Sequence, residues 1–372
     1  MWLYLWLLAL PLILWLGERF GGRWTRVCYI LIGLCLLLFL GLRHQIGCDW
    51  NNYLLAFSRA RSNGLLEGLS LAEPGYAVLA WAVSHLGLGF GILNLLYAAL
   101  LTTGLLLFVR GQARPALALL IATPVIIIIL GLGATRQSAA VALFMWALHA
   151  HANGRRRVAA ALCMLAPIFH WTAVLVLPFA ALIFLDRYAR FWFCVAAAAV
   201  ASAAALMVAP FVPSVSMMLA AIVAEGGLYR AVPTLGALAI ALYLAISRRL
   251  AGADELPIGY LSAIAIFALA LAPISPTITD RLGFYAVPLQ IAVFTRFPDL
   301  FTTRRLRVGA AASVASAYLL LTVAWLALTT QEPCLSPYRS YLSNPSMLFT
   351  SADESPWIPC SLSPSGDLLP DQ

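Results

Sequence analysis

The sequence predicts an all-α, polytopic integral membrane protein of about twelve transmembrane helices, with short re-entrant or interfacial helices on its outer face. Three observations carry that expectation. Of 372 residues, 63% are hydrophobic and 10% charged, a composition that excludes a soluble globular domain. Apolar runs recur along the whole chain, each long enough for the roughly 20 helical residues that cross a hydrocarbon core. The runs are continuous and do not alternate with period two, which argues against a barrel. The mean hydropathy is +0.92.

The elements follow in order. Trp2 to Leu16 has no preceding basic region and no small-residue cleavage site, so it reads as a retained first helix. Val27 to Leu42 is the second. Phe90 to Val109 crosses once, leaving Tyr76 to Leu86, too short to span, as an interfacial or re-entrant helix. Val158 to Leu185 lies between two basic loops and is expected to cross twice, reversing near Pro167 and His170. Further helices are expected near 191–209, 233–247, 256–272, 282–295 and 308–329. The transmembrane domain then occupies 1–329, and 330–372 is a polar, loosely ordered periplasmic tail, with both termini outside.

All 23 basic residues are Arg, and sixteen of them fall in loops 17–26, 110–114, 154–157, 186–190, 248–255 and 296–307. The positive-inside rule places those loops in the cytoplasm. The net charge of +8 is therefore a topology signal and does not point to nucleic acid. Seven Cys lack metal-ligand spacing; four lie in apolar helices as small hydrophobes. Cys334 and Cys360, both in the tail, are the pair able to bridge if the tail faces an oxidising compartment.

Arg43, Arg136, His170 and Arg281 come to one face of this topology, with the carboxylates Asp49 and Glu73. Arg43-His-Gln-Ile-Gly47-Cys-Asp49 packs its polar groups directly after an apolar helix. Glu73-Pro74-Gly75-Tyr76 has the acid and proline of a helix start. Arg136-Gln137 follows the flexible link Gly131-Leu-Gly133. Asp280-Arg281 comes after the turn Pro273 to Pro276. Singly, each has an ordinary explanation: an Arg that snorkels, an acid that starts a helix, a structural His. Together, ionisable groups at membrane depth describe a cavity for an anionic polar substrate, and Arg forks suit phosphate oxygens.

No nucleophile elbow, metal-ligand cluster or Walker loop is present, so neither metal nor cofactor is expected. Arg plus carboxylate suits transfer from a donor whose pyrophosphate is already a good leaving group. Asp49, Glu73 or His170 could serve as base to an acceptor hydroxyl. A transporter or flippase of a lipid-linked or anionic solute is the competitor from another class. It would place its site near mid-membrane with repeat symmetry, which the sequence does not display. A polymer ligase and a non-catalytic scaffold of an export complex are further alternatives.

The ordered series Arg43-x3-Gly47-x-Asp49-x3-Tyr53, Glu73-Pro-Gly-Tyr76, Thr135-Arg136-Gln137-Ser138-Ala139, Phe169-His170-Trp-Thr-Ala173, Asp280-Arg281…Tyr285 and Pro337-Tyr338-Arg339 resembles the motifs of the EpsG family. These are Wzy-like proteins of exopolysaccharide, capsule and O-antigen assembly. Cys48, Trp50 and Trp171 depart from the pattern without removing a charge. The resemblance implies a polymerase that joins oligosaccharide repeat units carried on undecaprenyl pyrophosphate, at the periplasmic face, possessing a flippase and a chain-length regulator as pathway partners. It implies pyrophosphate contacts from Arg136 and Arg281, with Arg43 and His170 supporting. Asp49 is the first choice of base and Glu73 the second. Sugar contacts would come from Tyr53, Tyr76, Gln137, Trp171, Asp280 and Tyr285. With one base and no covalent nucleophile, inversion at the anomeric carbon is expected.

Overall fold

The computed structural model describes residues 2–185, 228–247, 255–271, 276–328, 332–343 and 345–348. The expected helix near 191–209 lies outside them, as do Arg187, Arg190, Arg248, Arg249, Cys194, Cys360 and the tail acids beyond residue 348. Among the described residues the chain is helical, and its one extended pairing is an isolated bridge between Arg43 and Ser340.

A 3-10 turn over Trp2–Leu8 leads into α1 (Ala9–Phe20), and α2 (Gly22–Gly41) follows after a glycine break. Three short helices come next: α3 (Trp50–Asn63), α4 (Leu65–Leu71) and α5 (Pro74–His85). α6 (Phe90–Arg110) is long and apolar. α7 (Pro115–Ala122) continues through a π-helical stretch, Thr123–Leu130, into the single turn α8 (Gly131–Gly133). Pro124 accounts for the wide turn, since it has no N–H for the carbonyl four residues back. α9 (Thr135–Ala152) and α10 (Arg156–Phe169) precede a 3-10 turn at Trp171–Val176 and α11 (Leu177–Leu182). The remaining helices are α12 (Leu228–Ile246), α13 (Glu255–Ala270), α14 (Pro276–Gly283), α15 (Val287–Arg296), α16 (Arg304–Leu328) and α17 (Glu332–Leu335).

Burial sorts these helices by role. All eight residues of Thr123–Leu130 are buried, so the most apolar stretch of the chain is the centre of the bundle. α6 and α9 pack along each other, α2 lies against α6, and α10 against α9. α2 and α16 instead carry exposed Leu34, Leu38, Leu320 and Val323. Helices that are apolar on both faces suit a hydrocarbon surrounding.

The expectation of about twelve crossings is met only in part. Among the described residues five helices are long and apolar enough to cross a membrane: 3–20, 22–41, 90–110, 115–133 and 304–328. Shorter apolar helices cover 171–182, 231–246 and 255–270. The expected short helix at 76–86 is found as α5, twelve residues long. Val158 to Leu185 does fold back on itself, with α10 packed against α11. The break falls at His170, in extended geometry (φ −158°, ψ 128°), while Pro167 is accommodated inside α10.

Two of the Arg-rich loops meet. Arg114 donates to the Thr295 carbonyl at 2.6 Å and makes a two-pronged contact with Asp299 at 2.6 and 2.9 Å. Arg296 reaches the Gln112 side chain at 3.1 Å. Loops 110–114 and 296–307, which the charge distribution assigns to one side, are therefore neighbours.

The tail corrects two expectations. Cys334 is bonded to Cys48, in the loop after α2, and not to Cys360. Its first part is also not loose. Tyr341 N donates to the Leu42 carbonyl at 2.8 Å, His44 N to the Arg339 carbonyl at 3.0 Å, and Gly47 N to the Cys334 carbonyl at 2.8 Å. Residues 332–343 form a strap across loop 42–49, and beyond it Gly89 N donates to the Leu348 carbonyl at 2.9 Å.

Close approach of α6 and α9 depends on Gly104. A Cβ there would lie 2.2 Å from the Ala142 carbonyl oxygen, which is backbone and cannot turn aside. Gly104→Ala should lower stability in detergent by roughly 1–3 kcal/mol. Gly259→Ala, where a Cβ meets nothing within 4 Å, should not. Thermal unfolding followed by circular dichroism compares the two.

Candidate functional site

The site is built where helices stop. Loop 42–49 follows α2, Glu73 precedes α5, Ala134 separates α8 from α9, and His170 ends α10. Between these breaks and α14 lies a cavity of about 320 Å³. Its walls are Cys48, Asp49, Asn52, Tyr53, Ile129, Gly133, Ala134, Arg136, Gln137, His170, Asp280, Arg281 and Phe284. Two guanidiniums, two carboxylates and an imidazole thus share one small space.

Arg136, in the first turn of α9, is held from several directions. Its Nη1 donates to Glu73 Oε2 at 2.5 Å. Its guanidinium carbon lies 5.1 Å from the centre of the Tyr53 ring and 6.0 Å from that of Tyr76, within cation–π range. The Tyr76 hydroxyl donates to the Tyr53 carbonyl at 2.7 Å, which ties α5 to α3 beneath the cation. Pro74 in the first turn of α5 leaves Glu73 outside the helix, with ψ 149°, and its carboxylate meets α9. The side chains of Arg136 and Glu73 are 24% and 15% exposed, so neither charge has much water to rely on.

Arg281 contrasts with this. It is exposed at the cavity wall, and its backbone carbonyl accepts from Gln137 Nε2 at 2.5 Å. Gln137 thereby sets the position of α14 relative to α9. His170 Nδ1 lies 2.6 Å from the Thr172 hydroxyl, which in turn lies 3.4 Å from the Tyr285 hydroxyl. Asp49 begins α3, and the Tyr53 hydroxyl lies 3.4 Å from Asp49 Oδ2, one helical turn on.

Arg43 is 2% exposed and does not line the cavity. Its Nη1 donates to the Leu40 carbonyl at 2.6 Å, one of the last unpaired carbonyls of α2, and its Nη2 to the Thr135 hydroxyl at 2.6 Å. It joins the end of α2 to the start of α9. Gly47 is needed below it: with φ +108°, a Cβ there would lie 2.2 Å from the Leu132 carbonyl oxygen. The link at Gly131–Gly133 is therefore packed, with Gly131 and Leu132 buried. Beside it, burial and then the Arg339 guanidinium hold the His44 imidazole below its usual range.

The model of the EpsG family matches residues 26–340, an interval that contains every group described above. The chain belongs to the EpsG family. It is accordingly a membrane protein of polysaccharide biosynthesis. No curated protein and no solved structure matches the chain.

In this EpsG-family chain the structure brings together Asp49, Tyr53, Arg136, Gln137, His170, Asp280 and Arg281 at the cavity. Glu73, Tyr76 and Tyr285 stand behind it: Glu73 is occupied by Arg136, and the two tyrosines are buried. Two expectations are corrected. Arg43 is buried away from the cavity, with both terminal nitrogens donating to protein oxygens, and so acts as a structural clamp rather than an anion contact. Trp171 is 52% exposed and does not line the cavity, although its ring stacks 6.1 Å from that of His170, which does.

Sequence reasoning missed Asn52, Phe284 and the role of Cys48. Asn52 had a signal: it lies three residues after Asp49, on the face that Tyr53 shares. Cys48 had none, because its partner is 286 residues away.

The Glu73–Arg136 pair should be strongly coupled. Glu73→Gln alone leaves a poorly compensated cation and should cost about 2–3 kcal/mol. Glu73→Gln combined with Arg136→Met should cost less than the sum of the two single changes. A double-mutant cycle on unfolding free energies reads the coupling.

Proposed function

We propose that this protein is a Wzy-like polysaccharide polymerase, acting on oligosaccharide repeat units carried on undecaprenyl pyrophosphate. The observation that carries the reading is the convergence of Asp49 with Arg136 and Arg281 in one cavity. An acceptor base and two donors for pyrophosphate oxygens are the minimum that glycosyl transfer from such a donor needs.

Arg281 is the first pyrophosphate contact, because it is exposed at the cavity and not committed to the Glu73 carboxylate. Arg136 is the second, pre-positioned by Glu73 and the two tyrosines. The acceptor hydroxyl gives its proton to Asp49 as its oxygen bonds to the anomeric carbon of the donor sugar. The bond from that carbon to the pyrophosphate oxygen breaks, and the lipid pyrophosphate leaves with the bonding pair. One displacement inverts the anomeric centre. Glu73 is excluded as base in this scheme, since its carboxylate is engaged by Arg136 and does not line the cavity. With Nδ1 beside Thr172, His170 has Nε2 left for a substrate oxygen. Asn52, Gln137 and Asp280 supply polar sugar contacts.

The active face is assigned to the periplasm on two grounds. Loops 110–114 and 296–307 meet through Arg114 and Asp299, and the span 115–133 separates them from the cavity wall at Gly133, an arrangement the positive-inside rule favours. A disulfide at the cavity edge suits an oxidising compartment.

Purified protein given a lipid-linked repeat unit should yield a ladder of polymer. Asp49→Asn should slow extension by about 10²–10⁴-fold, and Arg281→Ala by about 10²-fold in kcat/KM. Full-length polymer from both variants would overturn the scheme. So would movement of unchanged substrate between leaflets, which is the behaviour of a flippase.

A further inference from the structure

We infer that the Cys48–Cys334 bridge is a redox lock on the loop that carries Asp49. Oxidation of the two thiols fixes the strap, and the strap fixes the base at the cavity. The inference rests on the polymerase reading for its catalytic consequence, but its structural part stands on the loop itself.

Loop 42–49 is poorly self-supporting. Gln45 is a non-glycine residue with φ 54°, a sparsely populated conformation, and Gly47 at φ 108° is a glycine turn with wide backbone freedom, so the loop gains its order from contacts outside itself. Those contacts come from the strap. His44 N and Gly47 N donate to the Arg339 and Cys334 carbonyls, and Arg339 Nη1 reaches Gln45 Oε1 at 2.5 Å. Cys48 both lines the cavity and immediately precedes Asp49, so the covalent bond lies one residue from the proposed base. The bond closes 286 residues of chain, and without it only non-covalent contacts, the hydrogen bonds and the His44–Tyr341 ring contact at 4.7 Å, hold loop and strap together.

The chemistry balances as thiol–disulfide exchange. Cys48 and Cys334 give up two protons and two electrons as their S–S bond forms. The acceptor is the disulfide of a thiol-oxidising protein, whose S–S bond breaks to leave two thiols. A chain still in a reducing compartment would hold Asp49 loosely. Cys48 is exposed, so a soluble thiol can also reverse the lock.

The test uses the full chain, already folded in detergent, with and without dithiothreitol. Hydrogen exchange of residues 42–53 reads the loop independently of any activity, and ladder formation reads the catalytic consequence. Reduction should speed exchange at the His44 and Gly47 amides about tenfold or more and should suppress the ladder; reoxidation should restore both. Cys48→Ser/Cys334→Ser should behave as the reduced protein and no longer respond to dithiothreitol. Unchanged exchange on reduction overturns the lock. Faster exchange with an undiminished ladder overturns its control of Asp49. Faster exchange in a protein that makes no ladder even when oxidised supports the lock and overturns the polymerase reading instead.

Discussion

Backbone that leaves a helix beside apolar spans must find its hydrogen-bond partners within the protein, since hydrocarbon offers none. That constraint organises this molecule. α2 ends at Gly41, α8 gives way to α9 at Ala134, and α10 ends at His170, and these breaks are neighbours. Each supplies what another lacks. Arg43 takes the Leu40 carbonyl and the Thr135 hydroxyl, Gln137 takes the Arg281 carbonyl, and the strap takes the amides of His44 and Gly47. The polar cavity is a consequence of that grouping, because breaks satisfied by side chains bring polar side chains with them.

The three arginines of this region illustrate how one residue type divides its work by burial. Arg43 is buried, and its two terminal nitrogens fix two helix ends. Arg136 is partly enclosed and carries its own counter-charge, Glu73, together with two aromatic faces. Arg281 is exposed, on a short helix that Gln137 anchors. A guanidinium cannot lose its proton at ordinary pH, so each must be compensated where it stands. The degree of compensation separates a clamp, a pre-positioned cation and an available one.

The two carboxylates expected from the sequence as candidate bases separate in the same way. Glu73 and Asp49 each lie beside the start of a helix and look alike in the sequence. Glu73, left outside α5 in extended geometry ahead of Pro74, meets Arg136 of α9. Asp49 lies on the loop under the strap and borders the cavity. What divides them is the partner each helix happens to face.

Much of the protein was legible from residues alone. Hydropathy determined an all-helical membrane chain, Arg spacing determined which loops share an end, and the ordered polar motifs determined most of the cavity, from Asp49 and Tyr53 to Asp280 and Arg281. Those signals are local: a run, a count or a short spacing carries each one. The number of crossings was not legible, because short and broken helices around residues 50–85 and 156–182 are apolar without being long. Nor were the burial of Arg43, the exposure of Trp171, the pairing of Glu73 with Arg136 or the bond between Cys48 and Cys334. Each depends on which segments touch across 63 to 286 residues of chain. Composition decided that this chain would enter a membrane and carry polar groups on one face; only packing decided which of those groups would hold the structure and which would border the cavity.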